Sequence, residues 1–416
     1  MMRPQAEVIA IGDELTCGSR LNTNSQWLSQ QLGDLGISVR FHTTVGDDID
    51  ADIQVLRNAI ERADIVLITG GLGPTADDLT RQALARAVGV GLIRDEAVVE
   101  HIRALFARRK REMPEQNIVQ AMFPQGSQVI PNPHGTAPGI DLTFPRRGQR
   151  PCRLFALPGV PAEVHDMWQA EVRPALTALL GDEVGVIRHR TIRCFGAGES
   201  DVERMLPDLV RRGRVPSVGI TASRATISLR ITAAGPTPEA CAALIDPTAE
   251  TIYRCLGDLI FGEDDDQLQD VVIRQLRERG QSLSTFDCDT CGLLAGWLSE
   301  ANGEKDVYRG ALEIRHRDSA ARVLGLGNLT WSSESASMEQ IAVRCREMFG
   351  TDHALAVGPF PPPADDATGT RDVRIACASP DGVTVHATPF AGHPDVVVSR
   401  IVKSALNFVR LQLLKD

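Results

Sequence analysis

The segment Thr69-Gly70-Gly71-Leu72-Gly73-Pro74-Thr75-Ala76-Asp77-Asp78-Leu79-Thr80 joins three glycines to two adjacent carboxylates. It follows an apolar run over 65–68 and opens a helical pattern. Glycines there let backbone N–H groups approach a phosphate, and a helix N-terminus adds partial positive charge. Asp77 and Asp78 would oppose that phosphate unless they held a cation between them. The bland alternative is a tight turn whose two carboxylates favour the helix dipole. Two further acidic strand ends, Gly12-Asp13-Glu14-Leu15 and Val45-Gly46-Asp47-Asp48, fall where open α/β sheets place their ligands. Each alone reads as a solvated helix cap; together they suggest a divalent-cation site. The loops at 132–139 and 157–163 could close the pocket or be only turns.

The elements that must position these residues alternate. Strand signals at 8–11, 39–45, 65–68 and 154–157 are separated by helical patterns. Asn24 or Ser25 is expected to cap the first long helix and Asp50 or Asp52 the second. Thr75-x-x-Asp78 has the form of a capping box. The fold expected is α/β, with a doubly wound, mostly parallel sheet in the first domain. Residues 183–262 read as a small α+β unit with a helix over 202–212, and 263–416 as a second α/β domain. The first domain then spans 1–182.

Composition sets outer limits. The chain has 416 residues, of which 43% are hydrophobic and 24% charged, and a net charge of −10. That excludes disorder and disfavours nucleic acid or an anionic membrane surface as partner, since both are bound largely through Lys and Arg. Nine scattered cysteines do not form a secreted disulfide framework. No run approaches 18 apolar residues, so a cytoplasmic protein with no membrane contact is expected, and the acidic balance suits small molecules and acidic metal sites better. A homodimer is the expected assembly.

The order of these motifs, with Asn22-Thr23-Asn24 between the first two, resembles the CinA family of competence/damage-inducible proteins. The resemblance covers essentially the whole chain. It implies a molybdopterin-binding-like first domain with metal-dependent ADP-ribose pyrophosphatase activity, yielding AMP and ribose 5-phosphate. On that reading Asp77, Asp78 and Glu14 are catalytic, and Asp13, Asp47, Asp77 and Asp78 bind Mg²⁺, Mn²⁺ or Co²⁺. Thr69, Gly70, Gly71, Gly73, Thr75, Asn22, Asn24, Gly135, Thr136, Pro158 and Gly159 hold the substrate. The rival reading is a module that binds a pterin, a nucleotide or a partner protein of DNA uptake or repair without turnover.

The middle unit resembles the family's KH-like insert but lacks a basic Gly-x-x-Gly clamp, so RNA binding does not follow. The last domain resembles a nicotinamide-nucleotide amidase and departs from it at the chemistry. Cys288 stands where the family has its nucleophilic serine, Ile314 where it has tyrosine, and Ser319 or Ala320 where it has lysine. Pro361-Pro362-Pro363 replaces a glycine-rich loop. Deamidase activity is expected to be absent. Cys288-x-x-Cys291 has no second cysteine pair at metal-ligand spacing, and two buried inert thiols are expected.

Overall fold

The computed structural model describes residues 4–181, 185–303, 307–327, 335–361, 371–391 and 393–415. The chain divides into two compact units: 1–188 with 233–243, and 189–232 with 244–416.

In the first unit, strands Gln5–Ile11 and Ile65–Thr69 are almost wholly buried because both faces of the sheet are covered. Alternation sorts their side chains. Ile9, Ile11, Val66 and Ile68 pack with Leu56, Ile60 and Leu84 on one face. Val8, Ile65 and Leu67 pack with Leu28, Leu32 and Trp168 on the other. Strands Ser38–Val45, Gln5–Ile11, Ile65–Thr69 and Cys152–Leu157 lie side by side and parallel, and Gly139–Phe144 and Gln128–Ile130 continue the sheet antiparallel. The mostly parallel sheet is the one expected. From Gln5–Ile11 the chain passes to one neighbour, then crosses back to Ile65–Thr69 on the other side. The ends of those two strands therefore flank a topological switch point, the crevice where such sheets bind ligands.

The helix starts differ from expectation. Asn22 caps Thr23–Asp34 by accepting from Ser25 N at 3.0 Å, and Asp48 caps Ile49–Arg62 by accepting from Asp50 N and Ala51 N. In both cases the residue immediately preceding the helix has the short side chain that folds back on the first turn. Asp52, expected as a possible cap, lies inside the helix and is fully buried. Thr75-x-x-Asp78 is not a capping box, because the next helix begins at Thr80 with no side-chain cap.

The second unit holds two sheets. One runs in the order Ser217–Ser223, Thr226–Gly235, Val186–Cys194, Ile260–Glu263. The helix expected over 202–212 is Glu199–Met205 instead. Leu206 is extended because Pro207 follows it, and a residue before proline is driven out of the helical region. The other sheet runs Tyr308–Glu313, Leu283–Asp287, His353–Val357, Arg371–Ser379, Gly382–Phe390, its first three strands parallel and its last two antiparallel. Helices Leu268–Arg279 and Pro394–Leu413 cover one face. The first of them starts with a reciprocal box between Gln267 and Asp270. Pro362 and Pro363 lie outside the described residues. Among those described, no helix is long and apolar enough to cross a membrane.

Leu28 is fully buried and anchors the helix that carries Asn24. Leu28→Ala is expected to lower stability by about 2–5 kcal/mol, read from the urea midpoint of unfolding; a loss below about 1 kcal/mol would mean that this face of the sheet is not packed as described.

Candidate functional site

A cavity of about 500 Å³ opens at the switch point. Its floor is the backbone that leaves the two central strands. Gly70 has φ +104°, and a Cβ there would run into the Ile11 carbonyl; Gly71 has φ +63°, and a Cβ would strike the Thr80 hydroxyl. Only glycine fits either place. Thr80 closes the turn, donating its hydroxyl to Gly70 O at 2.9 Å and its N–H to Gly71 O at 3.2 Å.

Asp78 shapes the remainder of the loop. Its Oδ1 accepts from Gly73 N at 2.7 Å, and its Oδ2 accepts from Thr75 N at 2.8 Å and from the Thr75 hydroxyl. The Asp78 carboxylate is thus spent on the loop itself. Asp77 is exposed, and the neighbouring Thr75 side chain, then its own backbone N–H, holds its carboxyl below the usual carboxylate range. Across the cavity Asp13 and Asp47 brace each other. Asp13 N donates to Asp47 Oδ2 at 2.9 Å, and Asp47 N to Asp13 Oδ1 at 3.0 Å. Burial, then the nearby charges of Asp13, Asp77 and Glu14, raises the Asp47 carboxyl. The three acidic loops do converge.

Asn24 forms part of a side wall. Its amide donates to the Thr69 hydroxyl and to Gly159 O, both at 3.0 Å, while Thr69 donates to Pro158 O. Both amide hydrogens are committed, so Asn24 Oδ1 is left buried with no partner. Of the residues expected at the site, Glu14, Asp47, Asp77, Asp78, Thr69, Gly70, Gly71, Gly73, Asn22, Asn24, Thr136, Pro158 and Gly159 line the cavity. Asp13, Thr75 and Gly135 stand behind it. Asp13 and Thr75 act through their bonds to Asp47 and Asp78, and Gly135 N donates to Asn132 Oδ1 at 2.8 Å.

Several residues have partners, or lack them, in ways that the sequence pattern does not give. Asn132 Nδ2 ties its own loop to Glu163 at 2.7 Å, and Glu163, Gln120 and Arg20 all line the cavity. Arg81 is fully buried behind the glycine loop, with two guanidinium nitrogens lacking partners, and burial pushes it down to about 10. Buried Asp52 has neither carboxylate oxygen bonded. Burial, reinforced by Asp47 and Asp48, lifts it to about 7. Only the periodicity of the helix, which turns position 52 inward, could have flagged it.

The lining is acidic: Glu14, Asp47, Asp77, Asp78 and Glu163 against Arg20. A bare diphosphate would be repelled. Yet among the described residues no three His, Cys, Asp or Glu side chains gather as a metal-ligand set. Mg²⁺ carried on phosphates commonly takes only one or two carboxylates from a protein.

In the second unit Cys288 is buried as expected, and its thiol is pushed far up by burial and by Asp289 and Asp287. A Cβ on Gly358 would lie 3.1 Å from Cys288 Cβ, so the strand end seals it. Cys291, expected buried, is exposed.

Three family models match the chain in succession: a probable molybdopterin binding domain over 7–178, a damage-inducible protein CinA KH domain over 189–262, and a CinA C-terminal domain over 265–413. A CinA-like protein of Frankia casuarinae is 36% identical over 98% of this chain and 96% of its own length. A putative competence-damage inducible protein of Desulforamulus reducens is 34% identical over 98% of both chains. The crystal structure of a CinA protein of unknown function from Thermoplasma acidophilum is 32% identical and covers 41% of this chain and 98% of its own, with a TM-score of 0.38.

Asp52 gives a pH signature. Its folded-state pKa lies above the unfolded value of 3.8, so the folded form holds a proton that the unfolded form has released, and stability falls as pH rises from about 4 through 7. Asp52→Asn is expected to match the parent at pH 4 and to exceed it at pH 8 by at most about 4 kcal/mol in urea unfolding. Equal stability at both pH values would show that Asp52 finds a partner.

Proposed function

The chain belongs to the CinA family, and we propose that its first unit hydrolyses the diphosphate bond of ADP-ribose or a similar nucleotide diphosphate. The observation that carries this reading is the pairing, at one switch point, of a side-chain-free glycine floor with a wall of Asp47, Asp77 and Glu14. The floor admits phosphate oxygens against backbone. The wall demands that the phosphates come with a divalent cation, which when bound offsets charge on the phosphoryl oxygens. Asp77, exposed and held ionised, is the carboxylate free to meet that complex. On this reading Glu14, which lines the cavity, orients the attacking water. Asp78 and Asp13 keep the loops in place and are positioning residues.

With Mg²⁺ and ADP-ribose, the full-length protein is expected to release AMP and ribose 5-phosphate. Asp77→Asn is expected to lower kcat at least 100-fold with the thermal midpoint within a few degrees, because it removes an exposed side chain. Asp78→Asn is expected to lose activity and stability together, by about 1–3 kcal/mol, because it disturbs two backbone bonds. Full activity in Asp77→Asn would remove that carboxylate from the chemistry. Binding of the nucleotide with no turnover under several divalent metals would favour the non-catalytic reading.

For the second unit we propose no deamidase activity. A buried thiol with a strongly raised pKa supplies almost no thiolate at neutral pH. Ile314 and Ala320 have no proton to give a leaving amide nitrogen, and the Ser319 hydroxyl is far weaker than lysine as an acid. Incubation with nicotinamide mononucleotide is expected to release no ammonia. Release that disappears in Cys288→Ala would contradict this.

A further inference from the structure

The last helix, Pro394–Leu413, is buried on one side and faces a cleft on another. Ile401, Val402, Ala405, Leu406 and Val409 are fully enclosed in the core of the second unit. One stripe away, Arg400, Ser404, Asn407, Phe408 and Leu411 line a cleft of about 880 Å³. Strand Gly382–Phe390 contributes His386 beside them. The opposite wall comes from the α+β part of the same unit, with Glu199 and Asp201, the hairpin residues Ala222 and Ala225, and Asp258.

Two buried cations fix these walls to each other. Lys403 Nζ donates to Arg224 O at 2.8 Å and to the Thr226 hydroxyl at 2.7 Å. Arg410 donates to Ile260 O at 3.0 Å and to the Asp258 carbonyl. Lys403 is 8% exposed and Arg410 3%. Protein interiors pack as densely as organic crystals, so a gap this large between firmly docked parts is not a packing defect. Its volume lies in the range of small-molecule sites.

The lining restricts the occupant. The His386 and Phe408 rings stack with centroids 5.5 Å apart and an interplanar angle of 23°, presenting flat aromatic surface. Glu199, Asp201 and Asp258 are exposed; Asp201 pairs with Arg204 at 2.7 Å, and Glu199 and Asp258 still outnumber Arg400, whose guanidinium donates to Pro389 O at 2.8 Å. Ionised carboxylates only accept hydrogen bonds. A ligand here gains from a flat ring and from O–H or N–H donors, and loses from negative charge.

We propose that this cleft is a second small-molecule site, for an uncharged planar heteroaromatic compound bearing hydroxyl or amino donors, the class to which nucleosides belong. The ring lies against Phe408 and His386, and the donors face the carboxylates. A phosphate on the same compound is disfavoured.

Calorimetric titration of the full-length protein with adenosine tests this. Binding is expected, at least 10-fold tighter for adenosine than for AMP. Ala222→Trp, at an exposed strand position, is expected to plug the cleft and weaken adenosine at least 10-fold, and Phe408→Ala to do the same. Saturating α,β-methylene-ADP with Mg²⁺, which fills the cavity of the first unit, is expected to leave adenosine binding unchanged, which separates the two sites. Should Phe408→Ala fail to fold, Ala222→Trp carries the test. The proposal is overturned if adenosine does not bind, if Ala222→Trp binds it as the parent does, or if AMP binds equally well. Loss of a dimer in Ala222→Trp without adenosine binding would assign the cleft to a second copy and also overturn it.

Discussion

Gly70 passes so close to the Ile11 carbonyl that no side chain fits between them. That approach brings the ends of the two central strands together, and the cavity exists because of it. The switch point supplies a crevice, as any such sheet would. The absence of a Cβ at 70 and 71 turns the crevice floor into accessible backbone. Asp78 then holds the outer half of the loop against Gly73 and Thr75. The acidic wall follows from the same geometry, since Asp13 and Asp47 can brace each other only where their strands are neighbours in register, Ile11 beside Val45.

Much of this was legible in the sequence. The continuous apolar run at 65–68 fixed a buried parallel strand, and an acidic residue after each of three strand ends pointed to one edge of one sheet. What was not legible was the division of labour among the carboxylates. Thr75-x-x-Asp78 is spelled like a capping box, and a capping box and a loop brace differ only in where the helix begins. Here it begins at Thr80, so Asp78 serves the loop. The caps at Asn22 and Asp48 were displaced for a related reason: where several short polar residues occur in a row, periodicity alone does not say which one stands at the helix boundary. Leu206 shows the converse case, where Pro207 was in view and a helix was still extended through it.

What Arg81, Asp52 and Asn132 do was not legible for a different reason. Their significance lies in partners far along the chain or in the want of partners, and neither has a local signature. Asn132 matters because Glu163 comes to it from another element. Asp52 matters because nothing comes to it. The second unit makes the same point about chemistry. Cysteine at 288, where the family has serine, could be read as a nucleophile exchanged for a better one; the burial of that thiol beside two carboxylates is what argues against it.

The central claim is that the glycine floor and acidic wall of the first unit together receive a cation-bound diphosphate. Hydrogen–deuterium exchange with α,β-methylene-ADP, which cannot be hydrolysed, tests it most directly. Slowed exchange of amides in 70–75 and 46–48 is expected when analogue and Mg²⁺ are both present, and no change with the analogue alone. Protection that is indifferent to Mg²⁺, or that falls outside these loops, would contradict it.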